Sequence, residues 1–193
     1  MNMAGIDPKQ QAILEAAWMA FSTYGFRKTS MDDIAKGAGM SRPALYLHFK
    51  NKEAIFRALV AAYYGAAAAG VRAALAEPGP LPERLLAAFQ GQAGEGVQMM
   101  MSSPHGMELF EITKSVAGEV IAEGEAALSG IYADWLQKEA QAGRAVLSGD
   151  AAEVARTISA SLKGIKQTAG DYAEYQAGVR QLAALAGAGL TPR

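Results

Sequence analysis

The sequence has no cysteine and only two histidines in 193 residues. The first absence excludes a disulfide framework and any thiolate metal site. His48 and His105 lie far apart in the chain, too few nitrogen ligands for a zinc centre, so neither a metal nor a cofactor is expected. Alternating runs of β-branched and aromatic residues are missing as well, which removes the usual strand signal. No apolar stretch of about 18 residues is expected to span a membrane. The nearest candidate, ALVAAYYGAAAAGVRAALA, is mostly alanine and is interrupted by Arg72. The opening MNMAGIDPKQ has no basic region ahead of an apolar run, so no signal peptide is expected. A soluble, cytoplasmic protein follows from these readings.

What is present is unevenly charged. The formal net charge is -1. Yet Arg27 to Lys52 holds six basic residues against Asp32 and Asp33, a local charge of +4. From Ala54 onward, 11 basic residues face 14 acidic ones. This distribution suits a small anion-binding module on a neutral or acidic body.

The periodicity is helical throughout. Asp7-Pro8 places an N-cap before a proline at the first helical position. Ile13, Leu14, Ala17, Trp18 and Phe21 recur at helical spacing up to Gly25. Ser30 caps a short second helix through Met31, Ile34 and Ala35, and Gly37 and Gly39 stop it. Ser41 caps a third, with Pro43 in its first turn, and Asn51 caps a long fourth from Lys52 towards Ala76. After the break EPGPLP, Pro82 opens a helix carrying Leu85, Leu86 and Phe89. The glycines of GQAGEG weaken it, each by about 1 kcal/mol relative to alanine. Beyond SSPHG the helical pattern resumes as two pieces meeting near Lys114, and Gly143 ends it. Asp150 caps another helix, and AGDY turns into a last one. The reading is an all-α chain of about nine helices.

The second and third helices have the spacing of a helix-turn-helix. The crossing needs a small residue, here Ala35, and the turn needs one that tolerates positive φ, here Gly39. Ile34, Ala38, Met40 and Leu45 are placed to lock the pair. The next expected apolar position falls on His48, between Leu47 and Phe49. The stretch FSTYGFRKTSMDDIAKGAGMSRPALYLHFKNKEAIFRALV, residues 21–60, resembles the DNA-binding domain of the TetR family of bacterial transcriptional regulators. Its marks are Gly25-Phe26 before Thr29-Ser30, then Ile34-Ala35, Gly39 and LYLHFKNKEAIF. The remainder is similar to the family only in architecture. The resemblance implies an N-terminal three-helix helix-turn-helix domain, residues 1–53, and a C-terminal helical domain for ligand binding and dimerisation, residues 54–193.

A recognition helix offers its N-terminal half to base edges in a major groove. That half is Ser41, Arg42, Pro43 and Ala44. Arg42 suits a bidentate contact to guanine, and Ala44 a thymine methyl. The resemblance implies that Tyr46 reaches a phosphate. Lys52, at the start of the fourth helix, and Lys28, Thr29 and Ser30, at the start of the second, form expected phosphate sites. At least Asp33 is expected to face away from DNA. His48 stands between two roles, a phosphate contact or packing under the fourth helix.

In the C-terminal part, Phe89, Met100, Met107, Phe110, Tyr132 and Trp135 form a candidate soft lining for a small-molecule effector. For any single one, a core role is the plainer reading. Val154, Ile158, Leu162, Ile165, Val179 and Leu182 are spaced like packing seams on the last two helices. In TetR-like proteins these helices build the dimer interface. The expected function is a homodimeric repressor on a palindromic double-stranded DNA operator, released by a hydrophobic ligand. The alternatives are an effector-independent DNA-binding dimer and a helical enzyme. No nucleophile–base constellation supports the enzyme, and GQAGEG follows no strand, so it does not read as a phosphate loop.

Overall fold

The computed structural model describes residues 7–192, apart from the side chain of Met107. Its helices are α1 Pro8–Tyr24, α2 Met31–Gly37, α3 Arg42–His48, α4 Lys52–Ala76, α5 Leu81–Ser102, α6 Gly106–Gln141, α7 Ala151–Thr168 and α8 Tyr172–Leu190. No strand occurs among the described residues. The two pieces expected to meet near Lys114 meet at a kink at Ala117 (φ -127°, ψ 23°) within α6, and counting them as one gives eight helices rather than about nine.

Local chemistry sets the helix ends. The Asp7 carboxylate accepts from the N–H groups of Lys9 and Gln10, both at 3.2 Å. Asn51 Oδ1 accepts from Ala54 N–H at 2.8 Å, and Asp150 from Glu153 N–H at 2.7 Å. Each satisfies an amide that the first turn leaves without an intrahelical partner. Gly25 (φ 84°) and Gly143 (φ 70°) follow the ends of α1 and α6 in a region that side chains other than glycine rarely enter. Gly94 (φ 53°, ψ -162°) kinks α5.

The chain packs into two compact units. One runs to Tyr63 and includes Glu95–Ala122; the other holds Tyr64–Gly94 and Glu123 onward. The first unit's core contains Ile13, Leu14, Phe21, Ile34, Leu45, Ile55 and Leu59, joined by Leu109 from α6. Phe21, Phe26 and Phe56 form a triangle of rings with centroids 5.1 to 5.8 Å apart. The expected 1–53 module is therefore packed together with the start of α4 and the first half of α6.

In the second unit, Val71, Leu85, Phe89, Tyr132 and Leu136 are among the fully buried side chains. There α4 and α5 cross backbone to backbone. A Cβ on Gly70 would lie 2.8 Å from the Gly91 carbonyl oxygen. Gly91 thus serves a close crossing that the sequence reading saw only as a weakened helix.

By length and composition α4 could cross a membrane, with a mean hydropathy of 1.4 over its best 18-residue window. A third of that window is buried, 33%. Ile55 and Leu59 enter the first core, and Ala67, Val71 and Leu75 are buried in the second unit. Length and composition alone therefore do not make α4 a membrane span.

Candidate nucleic-acid interface

The helix-turn-helix closes as its residues require. Gly39 N–H donates to Lys36 O at 3.1 Å, and Met40 N–H to Ala35 O at 3.0 Å. Gly39 sits at φ 66°. Ala35 is buried, and Leu45, with no exposed surface, pins α3 to the core. With Leu45 facing inward, Ser41, Arg42, Pro43, Tyr46 and Leu47 face solvent, and Ala44 and His48 are half-buried. The Arg42 guanidinium lies 5.7 Å from the centroid of the Tyr46 ring. A hydrogen bond with the Tyr46 side chain, and then the proximity of that group's charge, push the Arg42 pKa above its usual value. The base-facing candidates are thus presented together on one short, well-anchored helix.

The expected phosphate contacts divide. Lys28 is exposed. Thr29 is buried, and its hydroxyl lies 2.7 Å from Gly25 O and 3.2 Å from Ala20 O. It closes the turn after α1, so its side chain does not reach outward. Ser30 is exposed but engaged. Its Oγ donates to Asp33 Oδ2 at 2.6 Å, its N–H donates to the same oxygen at 2.9 Å, and it accepts from Asp33 N–H at 3.2 Å. This is a reciprocal capping box, which lowers the Asp33 pKa, chiefly through the Ser30 hydroxyl. Asp33 is therefore fixed at the start of α2, where the phosphate was expected. Asp32 pairs with Lys36 at 2.9 Å.

Lys52 also departs from expectation. Its ammonium donates to the carbonyl oxygens of Phe26 (2.8 Å), Arg27 (3.1 Å) and Thr29 (3.1 Å), and lies 4.7 Å from the Phe26 ring centroid. An ammonium has three hydrogens, and here each has a carbonyl. Lys52 holds the segment between α1 and α2 to the start of α4. The short stem-to-turn distance was invisible in sequence, where a lysine at a helix start reads as an anion site.

A further set of contacts had no sequence signal, because the partners are 81 residues apart. Glu108 Oε1 accepts from Arg27 N–H at 3.0 Å, and Ser103 Oγ donates to Ser22 O at 2.9 Å. His105 Nδ1 lies 3.4 Å from Glu108 Oε2. All belong to the first unit, so the start of α6 braces the segment that precedes α2.

The family model of the bacterial regulatory proteins, tetR family, matches residues 13–59. Over these residues the chain is similar to the N-terminal domain of that family. The chain is 44% identical over 54 residues to the HTH-type transcriptional regulator EthR of Mycolicibacterium smegmatis, which is 28% of this chain and 25% of EthR. It is 47% identical over 47 residues to AcrR of Shigella flexneri, 24% of this chain and 22% of that one. The chain thus spans about a quarter of the length of these curated relatives. Whole-chain likeness comes from solved structures. SmeT, the repressor of the Stenotrophomonas maltophilia multidrug efflux pump SmeDEF, is 19% identical with a TM-score of 0.72, covering 95% of this chain and 90% of SmeT. Escherichia coli NemR is 16% identical with a TM-score of 0.75, covering 96% of this chain and all of NemR's. At such identities the likeness establishes a shared fold alone.

Beyond the TetR-like domain, the expected lining residues fall in different places. Phe89, Tyr132 and Trp135 are buried in the second unit, whereas Met100 and Phe110 are half-buried in the first. Met107's side chain lies outside the described residues. Phe89 and Tyr132 meet edge to face at 5.9 Å, and the Tyr132 hydroxyl donates to Gln92 Oε1 at 2.9 Å. Arg84 sits 5.0 Å over the Trp135 ring, whose buried indole N–H has no hydrogen-bond partner. A cavity of about 30 Å³ lies elsewhere in this unit, lined by Gln90, Ala93, Tyr172, Tyr175, Gln176 and Val179. It is far smaller than the roughly 300–1,000 Å³ of a typical small-molecule site. Burial there pushes the Tyr175 phenol up to about 12.

The seam residues divide too. Ile158, Leu162 and Val179 are buried within the chain's own unit, where they hold the helices rather than face outward. Val154, Ile165 and Leu182 remain half-exposed. The outward stripe on α8 is instead Ala177, Gln181, Ala184, Leu185 and Ala188.

Proposed function

We propose that the chain is a transcriptional repressor that binds a near-palindromic DNA operator as a homodimer and is released by a small hydrophobic molecule. The observation that carries this reading is α3. Its core anchor Leu45 turns Ser41, Arg42, Pro43 and Tyr46 outward in the most basic segment of the chain. This is the presentation that major-groove recognition needs. Arg42 reads a guanine, while Tyr46 and Lys28 meet phosphates. His48 stands at the edge of this surface. A single seven-residue helix makes few contacts, so two copies on a two-fold axis supply the affinity. The exposed α8 stripe around Leu185 is where the second copy docks. The working place of such a protein is the cytoplasm.

Release by a ligand is supported by likeness of fold to SmeT, a repressor that was also solved as a complex with triclosan. In this chain, Phe89, Tyr132 and the unpartnered Trp135 N–H are the groups an apolar effector with one acceptor would meet. Effector binding must favour one state of the dimer, with a coupling of roughly 1–3 kcal/mol.

Selection of bound DNA from a random pool tests the reading. A palindromic consensus is expected, with binding weakened by one or more members of a metabolite library. Uniform binding to all sequences would refute it.

A further inference from the structure

We infer that Leu47 is a specificity-determining residue that reads the methyl group of a thymine. The inference rests on the proposed DNA-binding role of α3. Leu47 is 87% exposed, the most exposed of the large hydrophobic side chains among the described residues. Its position on the helix gives that exposure a direction. Leu45 and Leu47 are about 200° apart around the axis, so the residue that anchors α3 and the residue that leaves it point opposite ways. Pro43 is four positions before Leu47 and therefore about 40° away, and Ala44 about 60° away. Pro43, Ala44 and Leu47 make a narrow apolar ridge on the outward side of the helix.

Cations and a phenol stand along that ridge. Arg42 and Tyr46 lie beside it as a stacked pair, and Lys50 is exposed just past the end of α3. An apolar ridge with a basic border has one partner in a major groove. Base edges there offer donors and acceptors, and the C5-methyl of thymine is their one apolar group. The borders meet the anionic backbone, and the ridge meets the methyl. A lone surface leucine is ordinary. This one sits on the most outward line of the helix whose neighbours are proposed to touch bases.

The experiment acts on the DNA first. In the operator selected by the full-length protein, each thymine is replaced in turn by deoxyuridine, which lacks only the methyl. One position per half-site is expected to weaken wild-type binding about fourfold, the transfer worth of one buried carbon. For Leu47→Ala, that replacement is expected to have no further effect, while thymines elsewhere behave as in wild type. An unchanged melting temperature confirms that the variant folds, since Leu47 lies outside the core. If the deoxyuridine effect persists undiminished in Leu47→Ala, or if no thymine is methyl-sensitive, the assignment is overturned. Wild-type protein that selects no sequence at all would overturn the DNA-binding reading itself, an outcome distinct from specific binding without methyl sensitivity.

Discussion

Arg42 rests on Tyr46, its guanidinium carbon 5.7 Å from the ring centroid, one helical turn along α3. Both side chains are exposed, so the ring limits where an otherwise mobile arginine points. Such seating lowers the ordering cost of a bidentate contact to guanine. Arg42→Ala is expected to lower affinity for the selected operator roughly five- to hundredfold and to flatten preference at one base pair. Tyr46→Phe keeps the ring and should fall between wild type and Arg42→Ala. Fluorescence anisotropy on operator and on random DNA checks this. An equal loss on both would move Arg42 from base to phosphate.

Lys52 carries the opposite expectation. Its ammonium is held by three carbonyl oxygens between 2.8 and 3.1 Å. Lys52→Met keeps the apolar stem and removes those bonds, so unfolding free energy should fall by about 2 kcal/mol. The slope of log affinity against log salt should stay as in wild type. A slope reduced by about one would show a phosphate contact instead.

The N-terminal module was legible because its rules are local. A cap, a small residue at the crossing, a glycine at positive φ and an i, i+4 apolar set all fall within a few residues. Ser30, Ala35, Gly39, Ser41 and Leu45 behave as that pattern requires. What escaped depends on distant partners. Gly91 read as a weak point in a helix, and is the residue that lets α5 touch Gly70 of α4. Glu108 carried no signal, yet it holds the amide of Arg27. Periodicity found the apolar positions of α7 and α8 without telling an inward face from an outward one. Alanine and glycine give little contrast between faces, so Ile158, Leu162 and Val179 read as an interface and are the chain's own core.

The outward face of α8 yields a test of assembly. Leu185 is 63% exposed beside Ala184 and Ala188, which permit close approach of a second helix. Leu185→Glu places a charge in that stripe without touching the core. Sedimentation velocity is expected to show a dimer for wild type and a monomer for the variant, with the helical circular dichroism unchanged. Operator affinity should drop steeply, because both half-sites no longer share one complex. A variant that stays dimeric would place the interface elsewhere.

Glu139 is expected to contribute to the acid sensitivity of the second unit. It is 4% exposed, and Arg144 grips it through Nε at 2.7 Å and Nη2 at 3.1 Å. Arg84 Nη1 adds a contact at 3.2 Å, and the same arginine donates to Leu75 O. The Arg144 hydrogen bond outweighs the opposing effect of burial, and with Arg84 it holds the Glu139 pKa below the usual carboxylate range. A carboxylate depressed on folding stabilises the folded state above its unfolded pKa, about 4.3. That contribution is lost as pH falls through the lower folded value. Glu139→Gln keeps the shape and removes the charge between Arg84, largely buried, and Arg144, mostly exposed, so it should cost about 1.5–3 kcal/mol at pH 7. Urea unfolding followed downward from pH 7 should show the gap between the two proteins closing only below about pH 4. A gap independent of pH would mean that packing, not charge, makes Glu139 important.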